Sequence, residues 1–407
     1  MTLGISKFIQ KVSFLTFSTL LSQSLALVSL VILRQMMEAE EFTKYILIFT
    51  LVSVTSVLVS LKLETAISVS KSPRAVWSLF FTALAVSAFL SLIVIIPARL
   101  WKLDDFFYLI YALTFTCSVI NVLQTTLFYF NNSLVIGIGR IIQASATLAI
   151  FLFFTSAETE LFVFISVILF SQFMQICCML SPIYKTTVFE LFTFLQLRTL
   201  IIPLMYRTIR KKHKFVKYVM PEAFIGSLVP NLPFFLIDYH FSAKVTADYA
   251  FCYKLIATPL SALSQSASGL LFPMYKNFSF SQLKRLFLGV VFVGFSLVIG
   301  IEFLGLMLQN IVAEYLLPYR INYSLILFLF FPFAVMCVFN SMGGLHIFME
   351  LKELSLLFTI LMCVSKLPLF LIEDWDLFTL LIMIFSVDML FILALNYLCY
   401  RKIVARC

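Results

Sequence analysis

Charged side chains are scarce in this sequence. They account for 12% of its 407 residues, whereas soluble globular domains carry about 25%. Hydrophobic residues account for 62%, and apolar runs long enough to cross a membrane recur along the whole chain. The scarcity of charge excludes a soluble domain, and runs of this length predict helices instead of the short alternating strands of a membrane β-barrel. The sequence therefore predicts an all-α polytopic membrane protein.

Motifs for nucleotides, metals and disulfides are also missing. There is no GxxxxGK[ST] phosphate-binding loop, so we expect that this chain does not itself hydrolyse ATP. The 8 cysteines include no CxxC pair and lie mostly inside apolar runs, which predicts small buried residues instead of a zinc site or a disulfide framework. The 3 histidines are scattered. We expect no metal and no cofactor.

The chain lacks room for a soluble catalytic domain. No predicted external loop is longer than about a dozen residues. A membrane-embedded polysaccharide polymerase or glycosyltransferase would usually need a large external loop or an acidic metal–nucleotide site, and neither is found. We therefore expect that the protein is not an enzyme.

The apolar runs define twelve predicted spans. Lys7 and Lys11 precede the first run as in a signal peptide, but the run is longer than a signal-peptide core and no A-x-A pattern follows, so we expect a retained helix. The predicted spans are residues 12–33, 42–61, 76–97, 106–127, 134–154, 161–181, 219–237, 249–271, 286–309, 322–345, 352–371 and 377–399.

The densest positive charge lies at residues 207–217, near the middle of the chain. The positive-inside rule places this segment in the cytoplasm. With both termini also cytoplasmic, 20 Lys and Arg residues lie on the cytoplasmic side and 6 on the external side. The net charge of +9 is then explained by loops that face anionic membrane lipids, and no nucleic-acid partner is expected.

This segment divides the chain into three predicted parts. They are an N-terminal six-helix lobe (1–182), a basic cytoplasmic linker (183–218) and a C-terminal six-helix lobe (219–407). The centre of the linker, residues 189–206, is apolar with scattered polar residues. We expect it to form a helix that lies on the membrane surface.

A weak internal repeat supports two equivalent halves. Segments 31–45 and 235–249 align at an offset of 204 residues, close to half the chain, and place Ala39 on Ala243. Parallel repeats are typical of secondary transporters, in which the substrate site lies between the halves.

Three stretches carry a resemblance to a known family. They are Glu41-Phe-Thr-Lys-Tyr45 with Leu61-Lys-Leu-Glu-Thr-Ala-Ile67, Gly139-Arg-Ile-Ile-Gln143, and Asp248-Tyr-Ala-Phe-Cys-Tyr-Lys254 continuing to Leu271-Phe-Pro273. Together they resemble the Wzx-type polysaccharide flippases, the O-antigen and capsule translocases of the multidrug/oligosaccharidyl-lipid/polysaccharide exporter superfamily. The family often has Gly where this chain has Asp248.

The resemblance implies a two-lobed fold around a central cavity that opens alternately to each side. It also implies a location in the bacterial inner membrane and an undecaprenyl-diphosphate-linked oligosaccharide as cargo. Other polysaccharide assembly proteins are possible partners. We expect an ion gradient to drive transport. The alternatives are a drug or small-molecule cation antiporter of the same superfamily, a membrane-embedded polysaccharide polymerase, and a passive scaffold.

A diphosphate cargo would favour cationic side chains inside the membrane. Lys254 is predicted to contact the cargo or to extend its stem towards the external water, and Arg140 raises the same pair of alternatives from the cytoplasmic side. Gln143 follows Arg140 in the family-like stretch and is a further candidate for substrate binding. Lys366, close in sequence to Glu373, is expected to anchor its span at the interface.

Three acidic residues are candidates for ion coupling or gating. Asp388 lies at the centre of the last apolar run, where a carboxylate is either protonated or paired with a cation. It could bind a coupling ion or serve as a structural acid. Glu302 raises the same question at shallower depth. Glu64 marks the membrane interface, and the resemblance makes it a gating candidate.

The seventh predicted span contains Pro230, Asn231 and Pro233. Each proline removes a backbone donor and disturbs the helix, and broken backbone at membrane depth is tolerated only against protein or a wet cavity. This span is predicted to be either a moving gate, with Asn231 available to the substrate, or a kinked packing helix.

Overall fold

In a computed structural model, the described residues are 2–68, 70, 73–101, 103–130, 132–154, 161–196, 210, 220–275, 278–308, 323–342, 345–349, 351–372 and 375–406. All regular elements in these ranges are helical. The α-helices are Thr2–Met36, Ala39–Val59, Leu63–Ser68, Pro73–Leu90, Ile95–Leu100, Phe107–Tyr129, Ser133–Phe154, Leu161–Gln196, Met220–Leu228, Leu232–His240, Ala243–Met274, Phe280–Met307, Tyr323–Ser341, Leu345–Phe348, Lys352–Val364 and Leu377–Val404. Short 3₁₀ helices cover Ser91–Val94, Asp104–Phe106 and Leu367–Phe370.

Within the described ranges, 11 segments are long and apolar enough to cross a membrane, and they match eleven of the twelve predicted spans. The remaining predicted span, 249–271, lies in the helix Ala243–Met274. At 32 residues this helix is long enough to cross, but Lys244, Asp248 and Lys254 make it more polar than the others. The predicted all-α polytopic fold is confirmed.

The chain divides into two compact units. Unit 1 comprises Met1–Ser29 and Lys44–Leu228, and unit 2 comprises Leu30–Thr43 and Val229–Cys407. The end of the first helix and the start of the second therefore group with the second half of the sequence. The lobe limits at 182 and 219 stay predictions, and the basic segment 207–217 lies outside the described residues except for Arg210.

The core of unit 1 follows from helical periodicity. Val76, Phe80 and Ala83 recur at intervals of four and three residues, so they share one face of their helix. This face is buried against Leu123 and Leu127, which are fully inaccessible to solvent. The remaining faces of the unit 1 helices carry exposed aliphatic and aromatic side chains, as expected where lipid is the solvent.

Unit 2 contains a helix interrupted in mid-span. Instead of the single predicted span 219–237, two short helices, Met220–Leu228 and Leu232–His240, are separated by a turn. Pro233 lacks an N–H, so the carbonyl of Val229 loses its normal helical donor four residues on. The chain resumes its hydrogen bonding when Phe234 donates to the Asn231 carbonyl at 3.2 Å.

The helix that contains the sixth span extends beyond the predicted end of that span at residue 181. The backbone is helical without interruption from Leu161 to Gln196, through Pro182. Residues 189–196 of the surface helix predicted over 189–206 are helical and continue the helix Leu161–Gln196. Their position on the membrane surface stays a prediction. The rest of that predicted helix lies outside the described residues.

A close helix approach in unit 1 depends on Gly137. A Cβ atom at this position would lie 2.5 Å from Ser18 Oγ and 2.8 Å from Phe14. We expect Gly137→Ala to lower the free energy of unfolding by about 1 to 3 kcal/mol, because the two helices must move apart. Thermal unfolding in detergent micelles measures this effect.

Gly289 is the matched control. It also lies inside an apolar helix, but nothing lies within 4 Å of an added Cβ atom. We expect Gly289→Ala to be neutral or to stabilise by up to about 1 kcal/mol, because alanine loses less backbone entropy. Equal effects of the two substitutions would contradict the proposed close approach.

Candidate functional site

Arg140 in unit 1 is held by neutral groups. Its Nη1 donates to Thr19 Oγ1 at 2.8 Å and its Nη2 donates to Gln124 Oε1 at 3.0 Å. Arg140 forms no ion pair within the described part of the chain, and its side chain is half-buried. The guanidinium is therefore fixed in direction by its partners while its charge stays uncompensated.

Two further amide side chains lie on the helix of Arg140 or pack against that helix. Gln143 lies one helical turn further on and is half-buried. Gln175 is 1% exposed and its Cγ would lie 3.3 Å from a Cβ on Gly139. Its Oε1 has no hydrogen-bond partner. A buried amide without a partner is costly, and a bound water or a ligand hydroxyl would satisfy it.

Sequence reasoning missed Gln124 and Gln175. Both stand in apolar spans, where polar side chains are rare unless they contact another helix or a cavity. That rarity was the available signal. It does not indicate which way each amide points, and the structure brings both close to Arg140 or to its neighbour Gly139.

Lys254 in unit 2 is a second cation without an acidic partner among the described residues. It lies in the helix Ala243–Met274 and is half-buried. Its Nζ is 5.9 Å from the ring centroid of Tyr253, at the outer limit of a cation–π contact. Across the described ranges Lys254 forms no ion pair. Units 1 and 2 thus each contain a half-buried cation that faces neutral groups.

Asp388, by contrast, is neutralised inside unit 2. The Lys366 Nζ lies 2.7 Å from its Oδ1 and donates a hydrogen bond to its Oδ2 at 2.8 Å. Lys366 is completely buried, and Asp388 is 3% exposed. The prediction that Lys366 is an interfacial anchor is therefore wrong. Its expected neighbour Glu373 lies outside the described residues.

The broken helix is tied to this ion pair. The Lys366 Nζ also donates to the Val229 carbonyl at 3.1 Å, the group that Pro233 leaves without a helical donor. Pro230 is exposed and Asn231 is half-buried in the turn that follows. One ammonium thus joins the helix break to the helix that carries Asp388.

Glu64 lies beside a turn with unusual backbone geometry. Leu61 and Lys62 have φ of 50° and 55°, in the left-handed region that non-glycine residues rarely adopt. The turn brings Lys62 Nζ to 3.4 Å from Glu64 Oε1. Glu64 is 6% exposed and its Oε2 has no hydrogen-bond partner. The carboxylate is thus buried next to one nearby cation, at a strained corner of unit 1.

Glu302 lies on a helix whose neighbouring side chains are mostly exposed. Ile301, Phe303 and Leu304 are more than half exposed, whereas Glu302 is half-buried. Its Oε2 is shielded from solvent and finds no hydrogen-bond partner in the described ranges. Glu302 therefore differs from Asp388 in lacking a cationic partner there.

An ion pair that sequence reasoning missed links Arg34 to Asp248. Arg34 Nη2 donates to Asp248 Oδ1 at 2.8 Å, and Arg34 is 3% exposed. Nearby, Thr43 Oγ1 donates to the Ala243 carbonyl at 3.0 Å. The repeat-related Ala39 and Ala243 each begin a helix.

We expect Asp248→Ala to lower the free energy of unfolding by about 1 to 3 kcal/mol, because the buried Arg34 loses its charged partner. Arg99→Ala is the control, since its 3.8 Å pair with Asp104 is solvent-exposed and should change stability by less than about 1 kcal/mol. Unfolding curves recorded side by side make the comparison. Similar curves for both variants would show that the buried pair does not stabilise unit 2.

No protein-family model matches the sequence, and no curated protein shows significant sequence similarity to it. Solved structures do match in fold. A MOP superfamily transporter from Pyrococcus furiosus superimposes with a TM-score of 0.61 at 12% identity, covering 97% of this chain and 96% of that one. The outward-facing conformation of a multidrug resistance MATE family transporter gives 0.60 at 12% identity, with coverages of 97% and 96%.

A third structure, the Vibrio cholerae MATE transporter VcmN, gives a TM-score of 0.59 at 14% identity over 98% of this chain and 97% of that one. These likenesses span nearly the full length of each protein, although the identities are too low to carry over any activity. The chain therefore has the two-lobed, all-helical fold of the MATE transporters of the MOP superfamily.

Proposed function

We propose that this protein is a flippase that moves an undecaprenyl-diphosphate-linked oligosaccharide from the cytoplasmic to the outer leaflet of a bacterial inner membrane. Transport would run by ion-coupled alternating access, with both termini in the cytoplasm. The observation that carries the proposal is the balance of charge inside the two units. Arg140 and Lys254 lie against neutral groups, whereas Asp388, Glu64 and Asp248 each lie against a cation.

This balance favours an anionic cargo over a cationic one. A cation antiporter needs a carboxylate that is available to its substrate, and Asp388 is held by Lys366. Among the described residues this leaves Glu302, on a helix whose neighbouring side chains are mostly exposed, as the carboxylate without a cationic partner. A diphosphate needs cations that are not already neutralised. Arg140 can offer a fork of donors and Lys254 a point charge, which are the two common ways in which proteins bind phosphate.

The amides near Arg140 suit the sugar part of the cargo. Each sugar hydroxyl that enters hydrocarbon without a partner costs about 4 to 8 kcal/mol. Gln175 Oε1 is buried without a hydrogen-bond partner, and Gln143 on the neighbouring helix carries a second amide in the same unit. Such amides would replace hydrogen bonds that the hydroxyls lose to water. Asn231, in unit 2, remains a separate candidate for substrate binding.

One solved structure with the same fold has a binding pocket of a different polarity. The Pyrococcus furiosus neighbour is described as having a binding pocket of reverse polarity that suggests a different function. A change in the polarity of the binding site is therefore compatible with this fold.

Ion coupling needs a group that can change its charge. Glu302 is the leading candidate, because its carboxylate is shielded and has no cationic partner among the described residues. Glu64 and Asp388 can take part only if Lys62 or Lys366 moves away. The break at Pro230 and Pro233 gives unit 2 a point at which a helix can bend without loss of further backbone hydrogen bonds.

Deleting the gene in its native host tests the proposal. We expect lipid-linked repeat units to accumulate on the cytoplasmic leaflet, where an impermeant glycan label added outside cannot reach them. Unchanged export together with lost drug efflux would overturn the proposal in favour of the antiporter. Glycan extension by the purified protein alone would overturn it in favour of a polymerase.

A further inference from the structure

The Lys366 ammonium is surrounded by oxygen atoms from two separate elements of unit 2. Both carboxylate oxygens of Asp388 lie within 2.8 Å of Nζ, and the Val229 carbonyl lies at 3.1 Å. A compact positive charge that three oxygens contact, one of them a carbonyl freed from a broken helix, is the arrangement in which membrane transporters hold monovalent cations.

Among the described residues, Lys366 is the one cation that lies beside Asp388. Lys366 is completely buried and Asp388 nearly so, and no other cation pairs with Asp388 in that part of the chain. Pro230, adjacent to Val229 at the break, is exposed. The lysine stem therefore places a fixed cation in an oxygen-lined site.

We propose that this site is a monovalent-cation site that the protein fills with its own Lys366 ammonium. Because the ammonium is attached to the chain, its effective concentration at the site far exceeds that of a free ion. Mobile Na⁺ or K⁺ is therefore excluded in the wild-type protein. Removal of the lysine side chain uncovers Asp388 and the Val229 carbonyl as ligands for an alkali cation.

The inference goes beyond the proposed function and does not depend on the identity of the cargo. It concerns the ion that unit 2 holds, and it is tested on the purified full-length protein without any transport assay. A failed transport experiment leaves it standing, and its own failure leaves the flippase proposal unaffected.

The test compares thermal unfolding in detergent with NaCl, KCl or choline chloride at equal ionic strength. We expect the wild-type midpoint to be the same in all three salts. Lys366→Ala leaves Asp388 without its counter-charge and leaves an empty volume beside it. We therefore expect the midpoint of this variant to rise by several degrees in NaCl or KCl relative to choline chloride. The rise should be proportional to the logarithm of the cation concentration once that concentration exceeds the dissociation constant.

Two variants serve as controls. Lys366→Met fills the space with an apolar side chain, and we expect no selective stabilisation by alkali cations. Lys366→Ala combined with Asp388→Asn keeps the space but removes the anionic ligand, and we expect the stabilisation to be lost.

Equal midpoints of Lys366→Ala in the three salts would overturn the proposal. So would selective stabilisation of the wild-type protein by Na⁺ or K⁺ that Asp388→Asn abolishes, because the site would then accept a mobile ion beside Lys366. If Lys366→Ala does not fold in choline but is recovered when purified in NaCl or KCl, the proposal is supported. If it folds in none of the salts, an alkali cation cannot replace the ammonium and the proposal is overturned.

Discussion

Replacement of Asp388 with alanine is expected to lower the free energy of unfolding by about 3 to 5 kcal/mol. The substitution leaves the Lys366 ammonium buried without a counter-charge, and burial of an unpaired charge is among the costliest single changes in a protein. Lys366 is completely inaccessible to solvent and cannot turn towards water without disrupting its surroundings. Thermal or denaturant unfolding in detergent measures the loss.

A double substitution separates the charge from the packing. Lys366→Met combined with Asp388→Leu removes both charges and keeps similar volumes, so most of the stability should return. A deficit of about 1 to 3 kcal/mol should remain, because the Val229 carbonyl keeps no donor. The control is Asp376→Ala at the exposed start of the same helix, where Asp376 accepts from the Thr379 N–H at 3.1 Å. Loss of this cap costs about 1 kcal/mol.

The buried pair would be unimportant for stability if Asp388→Ala unfolded no more easily than Asp376→Ala. A double substitution that is less stable than Asp388→Ala would likewise contradict the pairing, because the second change is expected to relieve the buried charge.

Neutralisation of the two uncompensated cations is expected to abolish most glycan export. A hydrogen bond to a charged group contributes about 1.5 to 3 kcal/mol, so each of Arg140→Met and Lys254→Met should reduce transport at low cargo concentration by roughly tenfold to a hundredfold. Arg140→Lys keeps the charge but loses the two-pronged geometry, and we expect an intermediate effect. Export of glycan and cytoplasmic accumulation of its lipid-linked precursor are measured together.

Arg99→Met is the matched control for charge, because the Arg99 side chain is 77% exposed and its ion pair lies outside the core. Its export should equal that of the wild-type protein. The unfolding assay is applied to every variant, so that reduced export is attributed to binding only where the midpoint is unchanged. Full export by the double variant Arg140→Met/Lys254→Met would contradict the cargo-binding role and favour a passive scaffold.

The helical framework could be predicted from the sequence because hydropathy is a local property. Each run of apolar residues predicts one membrane span, and eleven of the twelve predicted spans are found among the described helices. The twelfth lies in the long helix Ala243–Met274, whose polar residues lower its hydropathy. The disturbance near Pro230 and Pro233 was predicted from the same local sequence, since each proline removes a backbone donor. A proline alone does not decide a break, because the helix Leu161–Gln196 continues through Pro182.

The surroundings of the charged residues were predicted less well, because the energy of a charge inside a membrane depends on its partner. The position of Lys366 near the end of its apolar run suggested that it reaches the interface. In the structure it is buried against Asp388, 22 residues further along the chain. Arg34 pairs with Asp248, 214 residues further on. Neither pairing leaves a periodic trace in the sequence.

By itself, then, the sequence determined that this protein is a multi-span helical membrane protein and that the prolines of its seventh span disturb that helix. Only the tertiary structure decided which of its intramembrane charges are neutralised and which stay available. The physical reason is that apolar burial is a sum over single residues, whereas the energy of a charge depends on distances of about 3 Å to particular atoms. Those distances are set by how each helix is rotated and packed.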